Sequence, residues 1–211
     1  MQPDYFANHR RALKFPWSIY HRPLEEGLAR FLAEVSKRTE SPRVLVVGGG
    51  YLHELPHVPQ NVRLTVVDID DRVTAHLAKM VDRRVERCLT IVGPADLESL
   101  GGFDGIYAKE VIEHIIEVDR YAAVLAGLLE PGGMLWVSTP NYGDPWIGLA
   151  EATVLELVGR LSGYSRRQMH PTRFSEARLR ALLQEAGLGD IQVTKTRFKL
   201  ALIGMGRKRS P

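Results

Sequence analysis

The chain has a single cysteine, Cys88, among 211 residues. That excludes an internal disulfide framework and suits a reducing compartment. No apolar run approaches the ~18 residues that a membrane span requires. The opening residues, MQPDYFANHRRALKF, are charged early and lack the apolar centre of a secretory signal. A soluble, cytoplasmic protein is therefore the expectation. Acidic groups are scarce in one region only: residues 160–211 hold 12 basic and 3 acidic side chains, against 16 and 22 in residues 1–159. Such a basic last quarter suits an acidic substrate, RNA or a phospholipid surface, or simply a solvated face. With 45% apolar residues, the chain can build one compact domain with a sizeable core.

Two short stretches organise the rest. VLVVGGG, residues 44–50, reads as a buried strand that runs into a glycine turn, and residues 62–67 read as a second buried strand ending at Asp68. Glycines at a strand end let a ligand lie against bare backbone, and an acid on the neighbouring strand can accept both hydroxyls of a ribose. The pattern suits a nucleoside, and the plain alternative is an ordinary strand, turn and strand with an exposed acid. Pro56 and Pro59 leave little more than one helical turn after Gly50, and His53 stands where a dinucleotide fingerprint needs its third glycine. Both facts weigh against a nicotinamide oxidoreductase. HELPH, residues 53–57, matches the letters of a zinc-protease motif, but Pro56 interrupts the helix that motif needs. Two partly exposed loop histidines are expected instead.

Read in order, residues 1–23 mix Tyr5, Phe6, His9, Phe15, Trp17, Tyr20 and His21 without a clear period, and predict a helix or lid. Pro23 reads as a helix start. Residues 24–37 then place Leu24, Leu28, Phe31, Leu32 and Val35 on one helical face. A helix over 71–81 has Val73, Leu77 and Met80 facing inward. Residues 88–92 predict a third strand, 93–102 a loop, and 104–108 a fourth strand followed by a helix to 129. A turn at Pro131, Gly132 and Gly133 leads into a fifth strand over 134–138. Alternating strands and helices argue for a parallel sheet covered on both faces, with ligand above the carboxyl ends of the strands.

Five motifs in this order, VLVVGGG, VVDID, FDGIYAKEVIEHI, LLEPGGMLWVSTPN and HPTRFSEARLRALLQEAGL, resemble class I S-adenosylmethionine-dependent methyltransferases. The resemblance is to the methyltransferase type 11 and ubiquinone-biosynthesis O-methyltransferase kind, over about residues 24–200. It implies an α/β, Rossmann-like, seven-stranded and mostly parallel sheet with helices on both faces. The last two strands would form a C-terminal β-hairpin, over 191–196 and 198–203. The implied organisation is an N-terminal lid or helix, residues 1–23, and a methyltransferase domain, residues 24–211, with a helical substrate-lid insert at 142–169.

For the cofactor, S-adenosylmethionine, the resemblance implies Gly48, Gly49 and Gly50 at the methionine portion, Asp68 at the ribose and Ile69 at the adenine face. Ala95 and Asp96 would meet the adenine edge, and Lys109 and Glu110 the sulfonium end. Three positions depart from the family pattern: Val46 and Pro94 stand where acids are usual, and Leu52 where a third glycine is usual.

EVIEH places Glu110, Glu113 and His114 at i, i+3 and i+4, which predicts one helix face beyond the fourth strand. His170 lies beyond the fifth. Catalytic candidates are thus His114, His170 and Glu113, as general base for a hydroxyl acceptor or as a site for Mg2+ or Mn2+; helix capping and pairing is the plain alternative. The ubiquinone-type and small-RNA 3'-end 2'-O-methyltransferases, which use metals, share this look.

In the insert, Trp146, Ile147, Leu149, Ala150, Val154, Leu157, Val158 and Leu161 predict an amphipathic helix. Arg160, Arg166, Arg167 and Arg173 near the same rim could hold a carboxylate or phosphate. The expected function is O-methylation of a small or lipophilic metabolite. The alternatives are a non-catalytic S-adenosylmethionine binder and an RNA 3'-end 2'-O-methyltransferase. No appended RNA-binding domain or stacking-aromatic pattern supports RNA, and AKEVIEH replaces the NPPY-type motif of base methyltransferases, which argues against DNA.

Overall fold

The structure is a computed structural model that describes residues 15, 17–80, 82–150, 153 and 170–210. Its strands are β1 (Arg43–Val47), β2 (Arg63–Asp68), β3 (Val85–Thr90), β4 (Phe103–Lys109), β5 (Leu129–Pro140), β6 (Leu188–Lys195) and β7 (Ala201–Lys208). The described helices are α1 (Ser18–Val35), α2 (Asp71–Leu77), α3 (Pro94–Glu98), α4 (Val118–Gly127), α5 (Pro145–Ala150) and α6 (Glu176–Glu185). One sheet takes the strands in the order β3-β2-β1-β4-β5-β7-β6. β1 to β5 run parallel, and β7 is antiparallel to both β5 and β6. This is the expected sheet and hairpin.

Two apolar clusters cover its faces. On one, Leu24, Leu28, Phe31, Leu32 and Val35 of α1 pack with Val44, Val46, Tyr107 and Trp136, as the helical spacing requires. On the other, Leu45, Ile106, Leu135 and Val137 meet α4 and α6. Contact between α1 and the sheet is close: a Cβ on Gly27 would come 2.7 Å from Ile203 Cδ1.

Several local expectations need correction. Pro23 lies inside α1 rather than at its start; the missing N–H costs one backbone bond near the helix beginning, which the buried face outweighs. The third strand starts at Val85 and ends at Thr90: among the described residues it is an edge strand paired to β2 alone, and Val92 is exposed beyond it. The stretch 93–102, expected as a loop, contains α3, with Pro94 at its first position. β5 is longer than 134–138, and β7 starts at Ala201 because residues 197–199 form a tight turn with positive φ at Phe198 and Lys199.

The most consequential correction follows β4. Residues 110–117 are not α-helical: Glu110 has φ +58, Ile112–His114 make a single 3-10 turn, and α4 begins only at Val118. Val111, Ile112, Ile115 and Ile116 are β-branched, which disfavours the helix, and Ile112 is buried in the core.

Tyr5, Phe6 and His9, Val81, and the insert residues Val154, Leu157, Arg160, Val158, Leu161, Arg166, Arg167 and Met169 lie outside the described residues. No described helix is long and apolar enough to cross a membrane.

Candidate active site

The cofactor and catalytic candidates lie along one edge of the sheet, where β1 to β5 end. At the end of β1, Gly48 and Gly50 have φ of +70 and +51, the left-handed conformation that glycine adopts without strain. A Cβ on Gly49 would run into Val66 Cγ1 and lie 3.2 Å from Leu77 Cδ1, so this backbone rests directly on the core. Beside it, Asp68 Oδ2 accepts from Gly50 N at 3.2 Å and Oδ1 from Asp70 N at 2.9 Å. Asp68 thereby locks the glycine turn to the end of β2, and each oxygen keeps a further acceptor position. Ile69, next to it, is 74% exposed. Beyond β3, Ala95 is exposed, and the Asp96 carboxyl accepts from Val92 N at 2.8 Å and Gly93 N at 3.1 Å. Those two bonds hold its pKa below the ordinary carboxylate value.

At the end of β4 the chain places a buried charge cluster. Lys109 Nζ donates to Glu25 Oε1 at 2.8 Å and to Glu54 Oε2 at 2.7 Å, and Tyr107 donates its hydroxyl hydrogen to Glu54 Oε1 at 2.7 Å. Glu54 is the acid of HELPH, and it is 2% exposed. The motif's letters therefore serve an ion pair at a bend: only Leu55–His57 form a 3-10 turn, while His53 is half-buried and His57 exposed.

Glu110 departs from the expected trio. Its left-handed backbone turns the carboxyl toward α1, where Tyr20 donates to Oε2, and toward β5, where Ser138 Oγ donates to Oε1 at 2.9 Å. Burial, with the nearby charges of Glu110 and Glu113, pushes the Tyr20 phenol well above its ordinary pKa. It remains a donor.

Glu113 and His114 instead meet His170. The segment after the insert returns along the 3-10 turn, where Thr172 N donates to Glu113 O at 3.2 Å and Thr172 Oγ1 to Ile115 O at 2.6 Å. Ligand-type atoms of Glu113, His114 and His170 lie within 4.8 Å of one another, and the two imidazoles pack edge to face with centroids 4.8 Å apart. Tyr142 OH is hydrogen-bonded to His170 Nδ1, and the Arg173 guanidinium lies over the Tyr142 ring at 5.4 Å. Glu113 is 1% exposed and His170 7%, whereas His114 is half-buried.

A glycine turn and an acid at the next strand end thus stand side by side at one edge of the sheet, and residues 17–193 match the family model of a methyltransferase domain. The chain belongs to this methyltransferase family. Similar proteins include the ubiquinone biosynthesis O-methyltransferase of Caulobacter sp. (strain K31), 32% identical over 126 residues that cover 56% of this chain and 49% of that protein. The chain thus spans about half the length of that curated relative. Among solved structures, the magnesium protoporphyrin IX methyltransferase of Synechocystis PCC 6803 with bound S-adenosylhomocysteine superposes with a TM-score of 0.65 at 19% identity, covering 96% of this chain and 94% of that one. The 1,6-didemethyltoxoflavin-N1-methyltransferase of Burkholderia thailandensis gives 0.64 at 22% identity, covering 97% and 84%. These two likenesses show the shared fold.

The departures from the family pattern have structural counterparts. Leu52 holds φ +49 with its side chain 2% exposed, so the backbone keeps the shape that a glycine would take, anchored by burial. Pro94 opens α3. Val46 is wholly buried, which leaves β1 without an acid. Sequence reasoning missed Glu25, Glu54, Tyr20 and Tyr142. Glu25 had a signal: it stands three residues before Leu28 and seven before Leu32, an acid on an apolar face.

Proposed function

We propose that this protein is an S-adenosylmethionine-dependent methyltransferase that methylates a hydroxyl group of a small or lipophilic metabolite. The observation that carries the reading is the Glu113–His114–His170 group, set beside the strand ends where the cofactor's glycine turn and Asp68 also lie. The residues present suit S-adenosylmethionine: bare backbone at Gly48 and Gly50, free acceptor positions on Asp68, and an exposed apolar Ile69 for an adenine ring. When bound, that cofactor supplies an electrophilic methyl carbon on a sulfonium sulfur.

The chain's own tasks are to place the acceptor ~3–3.5 Å from that carbon, in line with the breaking bond, and to exclude water. His114 would take the proton that the acceptor hydroxyl gives up on methylation. Glu113 and His170 orient its ring, and Tyr142 fixes His170.

The test is methyl transfer from S-adenosylmethionine to a panel of phenols and lipophilic alcohols, with wild type and His114→Ala compared. Product formed by wild type and reduced at least a hundredfold in the variant supports the reading; product formed equally by both overturns the role of His114.

A second reading rests on the same trio. One carboxyl and two imidazoles suit Mn2+ better than Mg2+, which prefers all-oxygen sites. Held by Glu113, His114 and His170, such an ion would lower the pKa of the acceptor hydroxyl. Activity abolished by a chelator and restored by Mn2+ favours this reading; activity unchanged by chelation favours the base.

A further inference from the structure

The cluster beside the glycine turn is unbalanced in charge. Glu25 and Glu54 share one ammonium, that of Lys109, and among the described residues neither forms a second salt bridge. Tyr107 occupies the remaining oxygen of Glu54, but Glu25 Oε2 is buried without a hydrogen-bond partner. Glu25 as a whole is 8% exposed. A buried acceptor and an excess negative charge both disfavour the empty cluster, and both are relieved by one cationic donor.

The position of the cluster says which cation. Asp68 and Ile69 end β2, and the sheet order runs from β2 through β1 to β4. A ligand whose ribose sits at Asp68 and whose chain crosses the glycine turn must reach the end of β4 with its other terminus. Ala108 pairs with Val47 there, so Lys109 stands level with Gly48. Glu54 belongs to the loop that leaves the same glycine turn. The far terminus of S-adenosylmethionine is an amino acid, with an α-ammonium and a carboxylate. β1 offers that ammonium no acid, since Val46 is apolar.

We propose that Glu25 Oε2 accepts the α-ammonium of the cofactor's amino-acid end, with Lys109 and Glu54 holding the Glu25 carboxyl in position. This rests on the methyltransferase reading above. It makes α1 part of the binding site.

Calorimetric binding to wild type and Glu25→Gln tests this with three probes: S-adenosylhomocysteine, its analogue lacking the α-amino group, and 5'-methylthioadenosine, which has no amino-acid end. Wild type should bind S-adenosylhomocysteine at least tenfold more tightly than the deamino analogue. Glu25→Gln should lose at least tenfold for S-adenosylhomocysteine, stay within twofold for methylthioadenosine, and no longer distinguish the deamino analogue. Equal losses for S-adenosylhomocysteine and methylthioadenosine, or no loss at all, overturn the assignment. Should Glu25→Gln fail to fold, Glu25→Asp and the wild-type comparison decide: equal wild-type affinity for the amino and deamino compounds overturns it. Failure of wild type to bind any probe overturns the methyltransferase reading itself, and this proposal with it.

Discussion

Lys109 Nζ lies 2.7 Å from Glu54 Oε2 and ties the end of β4 to the loop that leaves the glycine turn. Burial alone would raise the Glu54 pKa, but the Lys109 ammonium and the Tyr107 hydroxyl outweigh it and hold the carboxyl below its ordinary 4.5. Burial would likewise lower Lys109, yet the charges of Glu54 and Glu25 raise it above 10.5. The sign follows for each. A depressed carboxyl stabilises the fold above its unfolded value and loses that contribution as pH falls through its folded value; a raised lysine contributes below its unfolded value and loses this as pH rises through its folded one. Glu54→Gln should therefore lower the unfolding free energy by about 3–5 kcal/mol at neutral pH. That deficit should shrink below pH 4.5, as urea unfolding at neutral and acid pH would show. A deficit independent of pH would contradict the ion pair.

The glycine turn makes a packing prediction. Gly49→Ala places a methyl group against Val66 Cγ1, an overpacking that costs about 1–3 kcal/mol. Val66→Ala removes the obstacle, so the double variant should be more stable than the two single effects predict when added. Strict additivity in a double-mutant cycle would contradict the contact.

Asp68 holds the glycine turn and, on the proposed reading, would also hold the cofactor's ribose. Because it already accepts from Gly50 N and Asp70 N, Asp68→Ala should cost about 1–2 kcal/mol of stability. It should also weaken S-adenosylhomocysteine about 10- to 100-fold, since hydrogen bonds to a charged group contribute about 1.5–3 kcal/mol. Calorimetry that finds unchanged affinity would place the ribose elsewhere.

Residues of the acceptor side should separate chemistry from cofactor binding. His114→Ala should lower kcat about 10^2- to 10^4-fold, the usual range for a lost general base, while S-adenosylhomocysteine affinity stays within twofold. A parallel loss of both quantities would mean that His114 supports the fold of the 3-10 turn rather than the reaction.

How far the sequence was legible depended on the range of the forces involved. β1, β2 and the buried face of α1 followed from apolar periodicity, because burial of those side chains is what fixes them. The 3-10 turn at Ile112–His114 was not legible, because i, i+3, i+4 spacing looks the same whether or not the backbone is helical. As a result Glu110 pairs with Tyr20 and Ser138 rather than joining Glu113. The approach of His170 to His114 across 56 residues of chain was anticipated only as a return to the same edge. Glu54 was invisible as a site residue because its partners, Lys109 and Tyr107, lie on a strand more than fifty residues away, and no local pattern records such a pairing.

The most direct measurement is thermal unfolding with and without S-adenosylmethionine and S-adenosylhomocysteine at about 100 times the dissociation constant measured by calorimetry. Bound cofactor should then stabilise the fold by about 2.7 kcal/mol, a rise in midpoint of roughly 5–10 °C for a domain of this size. A clear rise with both compounds is the result expected of a working cofactor site at Gly48, Gly50 and Asp68. No heat of binding and an unmoved midpoint up to millimolar ligand would contradict the account at its centre.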